Sequence, residues 1–412
     1  MEKGAIKVQK QRKIVLVLLL LSLTLTAVFV AVLNSKPAPE VSGQIAQDAE
    51  LVWEKTFGGC GDDRAFAAVN AGNGFLVAGS STSFNSQNRT DAWALRVDQE
   101  GNEVWNRTFT ENYGAEFRCI LSLDDGFLLA GNTFQPSGNT FAYIVKVDDQ
   151  GLIVWSQNLT SYDASIKLFS ATQTADGFCF AGLLKNPGYA NSNVWLAKMD
   201  SDGNVEWSKV FEGFGDAAGR AITPTGDAGL IVASYCDLAG NGNYDFLLLK
   251  TDLQGNLQWQ KTFGGSESDK AYTIVSTRDG YVVAGDTRSK GAGDCDAWIV
   301  KVDLAGNLVW DRTVGGAGFD TPTCVAAVGD GGFVFAGTTF SFGNGQRDFW
   351  LFKVSENGKV VWSSTVGRSG YEEAYAVVPA GNDKDFILTG WTNSIGAGGR
   401  YDFYIVKVRI TR

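Results

Sequence analysis

Acidic side chains are the groups in this chain whose type and spacing could do chemistry. One set stands just before the first strand of a repeated unit: Asp63, Asp269, Asp320 and Glu373. A second set stands just before the third strand: Asp91, Asp245, Asp296, Asp348 and Asp402. Such a rim of carboxylates offers the oxygen ligands that Ca²⁺ takes, or a site for a cationic or sugar ligand. Alternatively, each carboxylate accepts hydrogen bonds from its own loop, and the periodic recurrence favours this second interpretation.

Other catalytic chemistries lack their residues. The chain contains no histidine, which excludes Ser-His-Asp and Cys-His nucleophiles and histidine-ligated metals. Its six cysteines occur singly, so no zinc or thioredoxin-like motif is present. A disulfide between Cys236 and Cys295 and a set of buried free thiols are both compatible with their positions. We expect no cofactor and no catalytic residue.

A hydrolase or lyase that uses two carboxylates stays open as an alternative. The local candidates are the "YEEA" segment at Tyr371–Ala374 and the "GDDRA" segment at Gly61–Ala65. A catalytic pair has to break the repeat, because a catalytic group is needed only once. Both segments are adequately explained as loop starts, so the sequence favours a protein without enzymatic activity.

A repeat of 50 to 52 residues must position these side chains. It is marked by one tryptophan per unit: Trp53, Trp105, Trp155, Trp207, Trp259, Trp310 and Trp362. Each unit holds four short runs rich in β-formers, and turn residues separate them. We predict an all-β, seven-bladed β-propeller in which these tryptophans dock blade against blade. Leu51–Phe57 has the pattern of a fourth strand, so we expect it to close the ring beside Phe403–Ile410.

The repeated phrases carry a resemblance. The order "DGYVVAG", "DAWIVKVD" and "GNLVWDRTVGG" is similar to β-propeller repeats of the SBBP type, and the glycine that closes the second strand resembles Kelch repeats. The segment around "VDLAGNLVW" is similar to PQQ-type repeats, whose tryptophan docks between blades. The resemblance covers residues 51–410 and implies the propeller fold; it implies no particular activity.

Two blades depart from the repeat. "TENYGAEFRC" and "TSYDASIKLF" lose the double glycine and gain Tyr113, Phe117, Tyr162 and Lys167. We expect Arg118 and Arg220 to face the central channel. Exposed aromatic residues beside polar groups suit contact with a carbohydrate or a protein, and drift in tolerant loops is the alternative.

The first 50 residues predict a membrane anchor. Residues 14–33 are 20 residues without a charge, long enough to cross the hydrocarbon core, and basic residues precede them. We predict a cytoplasmic tail at 1–13, a transmembrane signal anchor at 14–33, a linker at 34–50 and an extracellular propeller at 51–412. A cleaved signal peptide is the alternative.

If the propeller is extracellular, the three N-x-S/T sequons at Asn88, Asn106 and Asn158 are candidate glycosylation sites. A net charge of −10 argues against a nucleic-acid partner. We therefore expect a cell-surface binding or adhesion module for an extracellular protein or polysaccharide. A carboxylate-dependent glycan hydrolase or lyase and a purely structural envelope protein are the alternatives.

Overall fold

The computed structural model of the protein describes residues 48–84, 89–161, 163–240, 242–396 and 400–411. Within these ranges no helix has the length and apolar character that a membrane crossing needs. The predicted tail, anchor and most of the linker lie outside the described residues. The first strand begins at Ala49, so the linker ends before the expected boundary at Leu51.

The described residues form seven antiparallel sheets of four strands each. Sheets one to three contain β2 (Asp63–Asn70), β3 (Phe75–Ser81), β4 (Asp91–Val97) and β5 (Glu103–Phe109); β6 (Ala115–Leu123), β7 (Gly126–Phe134), β8 (Thr140–Val147) and β9 (Ile153–Leu159); β10 (Ser165–Thr174), β11 (Gly177–Lys185), β12 (Asn193–Asp200) and β13 (Val205–Phe211). Sheets four and five contain β14 (Asp216–Pro224), β15 (Leu230–Asp237), β16 (Asp245–Thr251) and β17 (Leu257–Phe263); β18 (Asp269–Thr277), β19 (Gly280–Thr287), β20 (Asp296–Asp303) and β21 (Leu308–Val314). Sheets six and seven contain β22 (Asp320–Ala327), β23 (Phe333–Thr339), β24 (Asp348–Val354) and β25 (Val360–Val366); β26 (Glu372–Pro379), β27 (Asp385–Thr392), β28 (Asp402–Ile410) and β1 (Ala49–Phe57).

Each sheet is a blade that packs face to face against its two neighbours, so the fold is a seven-bladed β-propeller. The second and third strands of a blade are buried along nearly their whole length, as in β3 and β4. Their continuous apolar sequence is what a sheet covered on both faces requires. The apolar core is therefore divided among the blade interfaces, and each interface joins residues from two neighbouring sheets.

The seventh sheet combines both ends of the described chain. β1 pairs antiparallel with β28, with Lys55 opposite Ile405 and Phe57 opposite Phe403. The first and seventh blades also pack together, and the ring of Trp93 lies 4.2 Å from that of Phe403, centroid to centroid. The order of strands across this sheet is β1-β28-β27-β26, so its outermost strand comes from the start of the described residues.

The repeated tryptophans lie against glycines of the next blade. Trp53 donates an indole N–H to the carbonyl of Gln99 at 3.1 Å, and its ring covers Gly101. A Cβ added at Gly306 would lie 2.8 Å from the Trp259 ring, and this glycine has a φ of +77°, which only glycine adopts at low cost. The pairs are Trp53 with Gly101, Trp105 with Gly151, Trp155 with Gly203, Trp207 with Gly255, Trp259 with Gly306 and Trp310 with Gly358.

Trp362 has a different neighbour. The seventh blade takes its fourth strand from β1, so it has no turn between a third and a fourth strand to receive the indole. The ring is only 6% exposed and lies 6.4 Å from that of Phe386. The repeated glycine and the repeated tryptophan are therefore one structural unit that is completed across six of the blade interfaces.

Candidate functional site

A one-residue bulge in the first strand of every blade builds the centre of the molecule. In β2, for example, the pairing with β3 skips Phe66 between Ala65 and Ala67. The skipped residues in the seven blades are Phe66, Arg118, Phe169, Arg220, Tyr272, Thr323 and Tyr375. A bulge bends its strand and re-aims one side chain. We call these seven residues the bulge ring, because all of them line one central cavity.

The cavity has a volume of about 590 Å³. Its remaining wall comes mainly from the fifth to seventh blades: Asp286, Phe319, Thr321, Thr338, Phe340, Arg347 and Glu373. Phe319 precedes β22, and Phe340 and Arg347 lie in the loop between β23 and β24. These two kinds of loop, before a first strand and before a third strand, are the ones in which the sequence predicted the carboxylate rim. The volume is within the usual range of small-molecule sites, about 300–1,000 Å³.

Cations stack on aromatic rings around the bulge ring. The guanidinium carbon of Arg118 lies 4.1 Å from the ring centroid of Phe66, and that of Arg220 lies 4.1 Å from the centroid of Phe169. Arg220 also lies 5.5 Å from the ring of Tyr272. Cation–π contacts of this kind hold a guanidinium in place without neutralising its charge. The side chains of the ring are thus oriented by their neighbours in adjacent blades.

Positive charge collects around one side of the cavity: Arg118 and Arg220 line it, and Lys167 lies near them without lining it. Arg118 forms an ion pair with Glu116 at 2.8 Å. Neither Lys167 nor Arg220 forms an ion pair within the described residues, and the buried Nε of Arg220 has no hydrogen-bond acceptor there. Burial lowers the pKa of Arg220 from its usual value, and the charge of Arg118 acts in the same direction. Burial likewise lowers the pKa of the Lys167 amine. Cationic groups that are partly removed from water and lack an acceptor are stabilised when an anion binds beside them.

Two carboxyl groups line the same cavity in unlike environments. Asp286 is 6% exposed and accepts a hydrogen bond from the Tyr272 hydroxyl at 2.9 Å. Burial raises the pKa of Asp286 to about 6. Glu373 forms an ion pair with Arg347 and accepts a hydrogen bond from the Tyr375 hydroxyl at 2.9 Å. One group therefore protonates readily, while the other is held beside a cation.

The acidic residues before first strands clamp their loops rather than face the cavity. Asp320 is fully buried, and its carboxylate accepts hydrogen bonds from the Gly316 N–H at 2.8 Å and the Ser341 hydroxyl at 2.6 Å. Asp63 and Asp269 repeat this arrangement with their own double-glycine loops and serines. Each carboxylate thus joins the loop before its blade to the loop that follows the second strand.

Glu372, not Glu373, holds the equivalent position in the seventh blade. Glu372 pairs with Thr392 in the register that Asp320 shares with Thr339. It is fully buried and accepts hydrogen bonds from the Arg368 N–H at 3.0 Å and the Thr392 hydroxyl at 2.8 Å. Strand side chains alternate in direction, so moving one residue along β26 turns Glu373 to the cavity.

The acidic residues before third strands are also enclosed. Asp91, Asp296, Asp348 and Asp402 are each at most 4% exposed. Asp296 accepts a hydrogen bond from the Ala292 N–H at 2.6 Å, and Asp348 accepts one from the Gly345 N–H at 3.0 Å. Burial raises the pKa of Asp245 to about 6, and the nearby Asp269 adds to this. Within the described residues no group of three or more acidic or cysteine side chains is arranged to hold a metal ion.

The other predicted positions are scattered. Asn106 lies on β5 and Asn158 on β9, both outer strands, while Asn88 and Tyr162 lie outside the described residues. All six cysteines are within the described residues and are free thiols; Cys236 and Cys295 are buried. Tyr113 is 55% exposed, whereas Phe117 is fully buried and stacks on Tyr143.

Sequence reasoning anticipated two residues of the bulge ring, Arg118 and Arg220, and missed the other five. A signal for them exists. In β18 the ring residue is the second of the segment Ala271–Val275, "AYTIV", and the residues at this position in the other blades are Phe, Arg, Phe, Arg, Thr and Tyr. A position that varies this widely inside a strict repeat is free of the packing that fixes its neighbours.

No known protein family matches the chain, and no curated protein matches it either. Solved propellers do. The WD40 domain of coronin from Toxoplasma gondii superposes with a TM-score of 0.52 at 10% identity, over 91% of this chain and 90% of that one. A puromycin hydrolase mutant in complex with PGG gives a TM-score of 0.52 at 13% identity, over 83% of this chain and 51% of that one. The propeller domain of the Trilobed protease from Pyrococcus furiosus gives 0.47 at 10% identity, over 88% and 97%.

The superpositions on the coronin domain and on the hydrolase show the propeller fold and, at 10% and 13% identity, nothing more specific. The chain spans about half the length of the hydrolase that it resembles. The SBBP, Kelch or PQQ subclass stays a prediction from the repeated motifs.

Proposed function

We propose that this protein is a non-enzymatic binding module that takes part of its ligand into the central cavity. The observation that carries the proposal is the bulge ring. Residue type in this layer of the first strands changes from blade to blade, and all seven of its members line the cavity. The residues that hold the blades together recur, whereas the bulge-ring residues around the central cavity differ from blade to blade.

The setting of the module is part of the proposal. Residues 14–33 anchor the chain in the cell membrane with the N-terminus in the cytoplasm, and the propeller lies outside. The uncharged stretch and the basic residues before it support this orientation. The partner is then an extracellular polysaccharide or protein, and the rigid ring of blades presents the cavity to it.

A cavity-filling substitution tests the proposal. The full chain, purified in detergent micelles, is applied to a glycan array and used to capture proteins from a cell-surface extract. We expect selective binding that is lost in Thr321→Trp, because Thr321 lies on the cavity wall and a larger side chain occupies the space. Thr174→Trp is the matched control, since Thr174 ends β10 away from the cavity lining.

Binding that survives Thr321→Trp would place the ligand elsewhere and refute the cavity proposal. Silence on both assays would favour a purely structural role in the envelope. Circular dichroism and a thermal melt of both variants show whether the fold is kept.

A carboxylate-dependent hydrolase is a second candidate, and one observation favours it. Asp286 and Glu373 line the same cavity; burial raises the pKa of Asp286 to about 6, and Glu373 forms an ion pair with Arg347. Glycosidases use one protonated and one ionised carboxyl group in this way. A hydrolase is also among the similar solved structures, although this chain spans only about half of it.

The enzyme reading has its own test. Polysaccharide cleavage is measured for the unmodified chain, Asp286→Asn and Glu373→Gln. Activity that disappears in both variants would replace the binding proposal with the enzymatic one. No turnover in the unmodified chain, together with binding on the array, would support the binding module.

A further inference from the structure

We propose that the ligand of the central cavity is an acidic sugar whose anionic group is held by Arg220, with the nearby Lys167 adding positive charge behind the cavity wall. This inference rests on the proposed binding function and adds the class of ligand. The chain as a whole is acidic, with a net charge of −10. A local excess of positive charge at its centre is therefore not a consequence of composition.

The charge on this side of the cavity is not balanced by the protein. The cations are Arg118, Lys167 and Arg220, and Glu116 is the acidic group beside them. Glu116 is engaged: it accepts from the guanidinium of Arg118 at 2.8 Å and from the Asn132 amide at 3.2 Å. Arg220 in the cavity wall and the nearby Lys167 therefore remain without an acidic partner among the described residues.

Arg220 has a donor ready for that anion. Its guanidinium is fixed by contacts with Phe169 and Tyr272, at 4.1 and 5.5 Å from the ring centroids. Its Nε is buried without an acceptor among the described residues. A planar, fixed guanidinium binds a carboxylate through two parallel hydrogen bonds, and the missing acceptor is then supplied.

The part of the wall that the sixth blade supplies suits the ring of a sugar. Thr321 and Thr338 line it beside Phe319 and Phe340, and the buried Oγ1 of Thr321 has no hydrogen-bond partner among the described residues. A hydroxyl can donate to or accept from a sugar hydroxyl, and aromatic rings cover the apolar face of a sugar. A volume of about 590 Å³ suits one or two sugar residues.

A neutral sugar with the same ring isolates the contribution of the charge. Calorimetric titration of the full chain in detergent compares glucuronate, glucose, glucose 6-phosphate and a triglutamate peptide. We expect glucuronate to bind at least tenfold more tightly than glucose. Arg220→Gln should remove this preference while leaving the affinity for glucose within about threefold, because the ring contacts remain.

Controls separate the site from general charge effects. Arg278→Gln removes the same charge from an exposed turn between β18 and β19 and should keep the preference. Lys167→Gln gives a second reading should Arg220→Gln fail to fold, and its expected loss of preference is smaller, because the ammonium is a single point charge. Thermal melts verify folding of each variant.

The outcomes are distinct. Equal affinities for glucuronate and glucose, or a preference that persists in Arg220→Gln and Lys167→Gln, would overturn the acidic-sugar assignment. Tighter binding of glucose 6-phosphate than of glucuronate would assign the site to a sugar phosphate within the same class. Tighter binding of triglutamate would overturn it in favour of an acidic peptide. In each of these cases, loss of binding in Thr321→Trp would leave the cavity as the site.

Discussion

Replacing Asp320 by alanine separates a loop clamp from a calcium ligand. The carboxylate of Asp320 receives the Gly316 N–H at 2.8 Å, the Ser341 hydroxyl at 2.6 Å and the Thr339 hydroxyl at 2.5 Å. Removing it leaves one buried and two partly buried donors without their acceptor. At about 1–1.5 kcal/mol for each, the loss in free energy of unfolding is about 4 kcal/mol.

Two comparisons calibrate this number. Asp320→Asn keeps the size of the side chain and one acceptor but turns an amide N–H₂ toward donors, so we expect a loss of about 2 kcal/mol. Asp294→Ala removes an exposed carboxylate from the loop before β20, and we expect a change within about 0.5 kcal/mol. Urea denaturation followed by tryptophan fluorescence measures all three.

The same urea denaturation curves are measured again in millimolar Ca²⁺ and in EDTA. A carboxylate that binds Ca²⁺ makes stability depend on the ion, because a ligand of the folded state stabilises it. We expect the same midpoint in both solutions. A loss below about 1 kcal/mol in Asp320→Ala, or a midpoint that rises with Ca²⁺ only when Asp320 is present, would refute the clamp.

Three further outcomes follow from the blade interfaces and the buried acid. Gly306→Ala should lower the free energy of unfolding by about 3 kcal/mol, because it strains the backbone and displaces the Trp259 ring. Gly381 has a similar φ and open space around it, so Gly381→Ala should cost only about 1 kcal/mol. Equal losses for the two variants in urea denaturation would contradict the docking role. The pKa of Asp286 in the folded protein, about 6, lies above the ordinary value of about 4, so folding favours the protonated carboxyl and its contribution is complete below about pH 4 and lost as the pH rises through 6. Asp286→Asn should therefore gain stability relative to the unmodified chain near pH 8 and not near pH 4, by at most about 3 kcal/mol, and a pH-independent difference between their denaturation midpoints would sink this reading. Trp53→Ala should lower stability by about 3 kcal/mol, because the indole loses its bond to Gln99 and its cover over Gly101, and a loss below about 1 kcal/mol would show that this interface does not contribute.

The sequence predicts the blades well because the same packing constraint selects the same residue types in successive blades. A glycine with positive φ lies under six of the seven repeated indoles, so the motif of Gly306 and Trp259 occurs six times in the described structure. The clamp role of Asp320 was likewise the favoured reading, and its hydrogen bonds agree with that reading. A residue type that recurs at the same position of each unit can therefore be recognised from the sequence as part of the scaffold.

The cavity could not be predicted in the same way. Its residues are defined by a bulge, and a bulge depends on how two strands pair, which the sequence of one strand does not state. One residue of register separates the buried Glu372 from Glu373 in the cavity, and the pattern "YEEA" cannot say which is which. Asp286 breaks the repeat, because its counterparts in the other blades are not acidic, but its place at the end of a buried strand did not indicate that its side chain reaches the cavity.

A crystal structure of the full chain with the strongest ligand from the glycan array would test the central claim most directly. We predict electron density for the ligand inside the bulge ring, with its anionic group within hydrogen-bond distance of Arg220 and a hydroxyl at Thr321. Density on the outer strands or on the opposite face, with only water in the central cavity, would contradict the account.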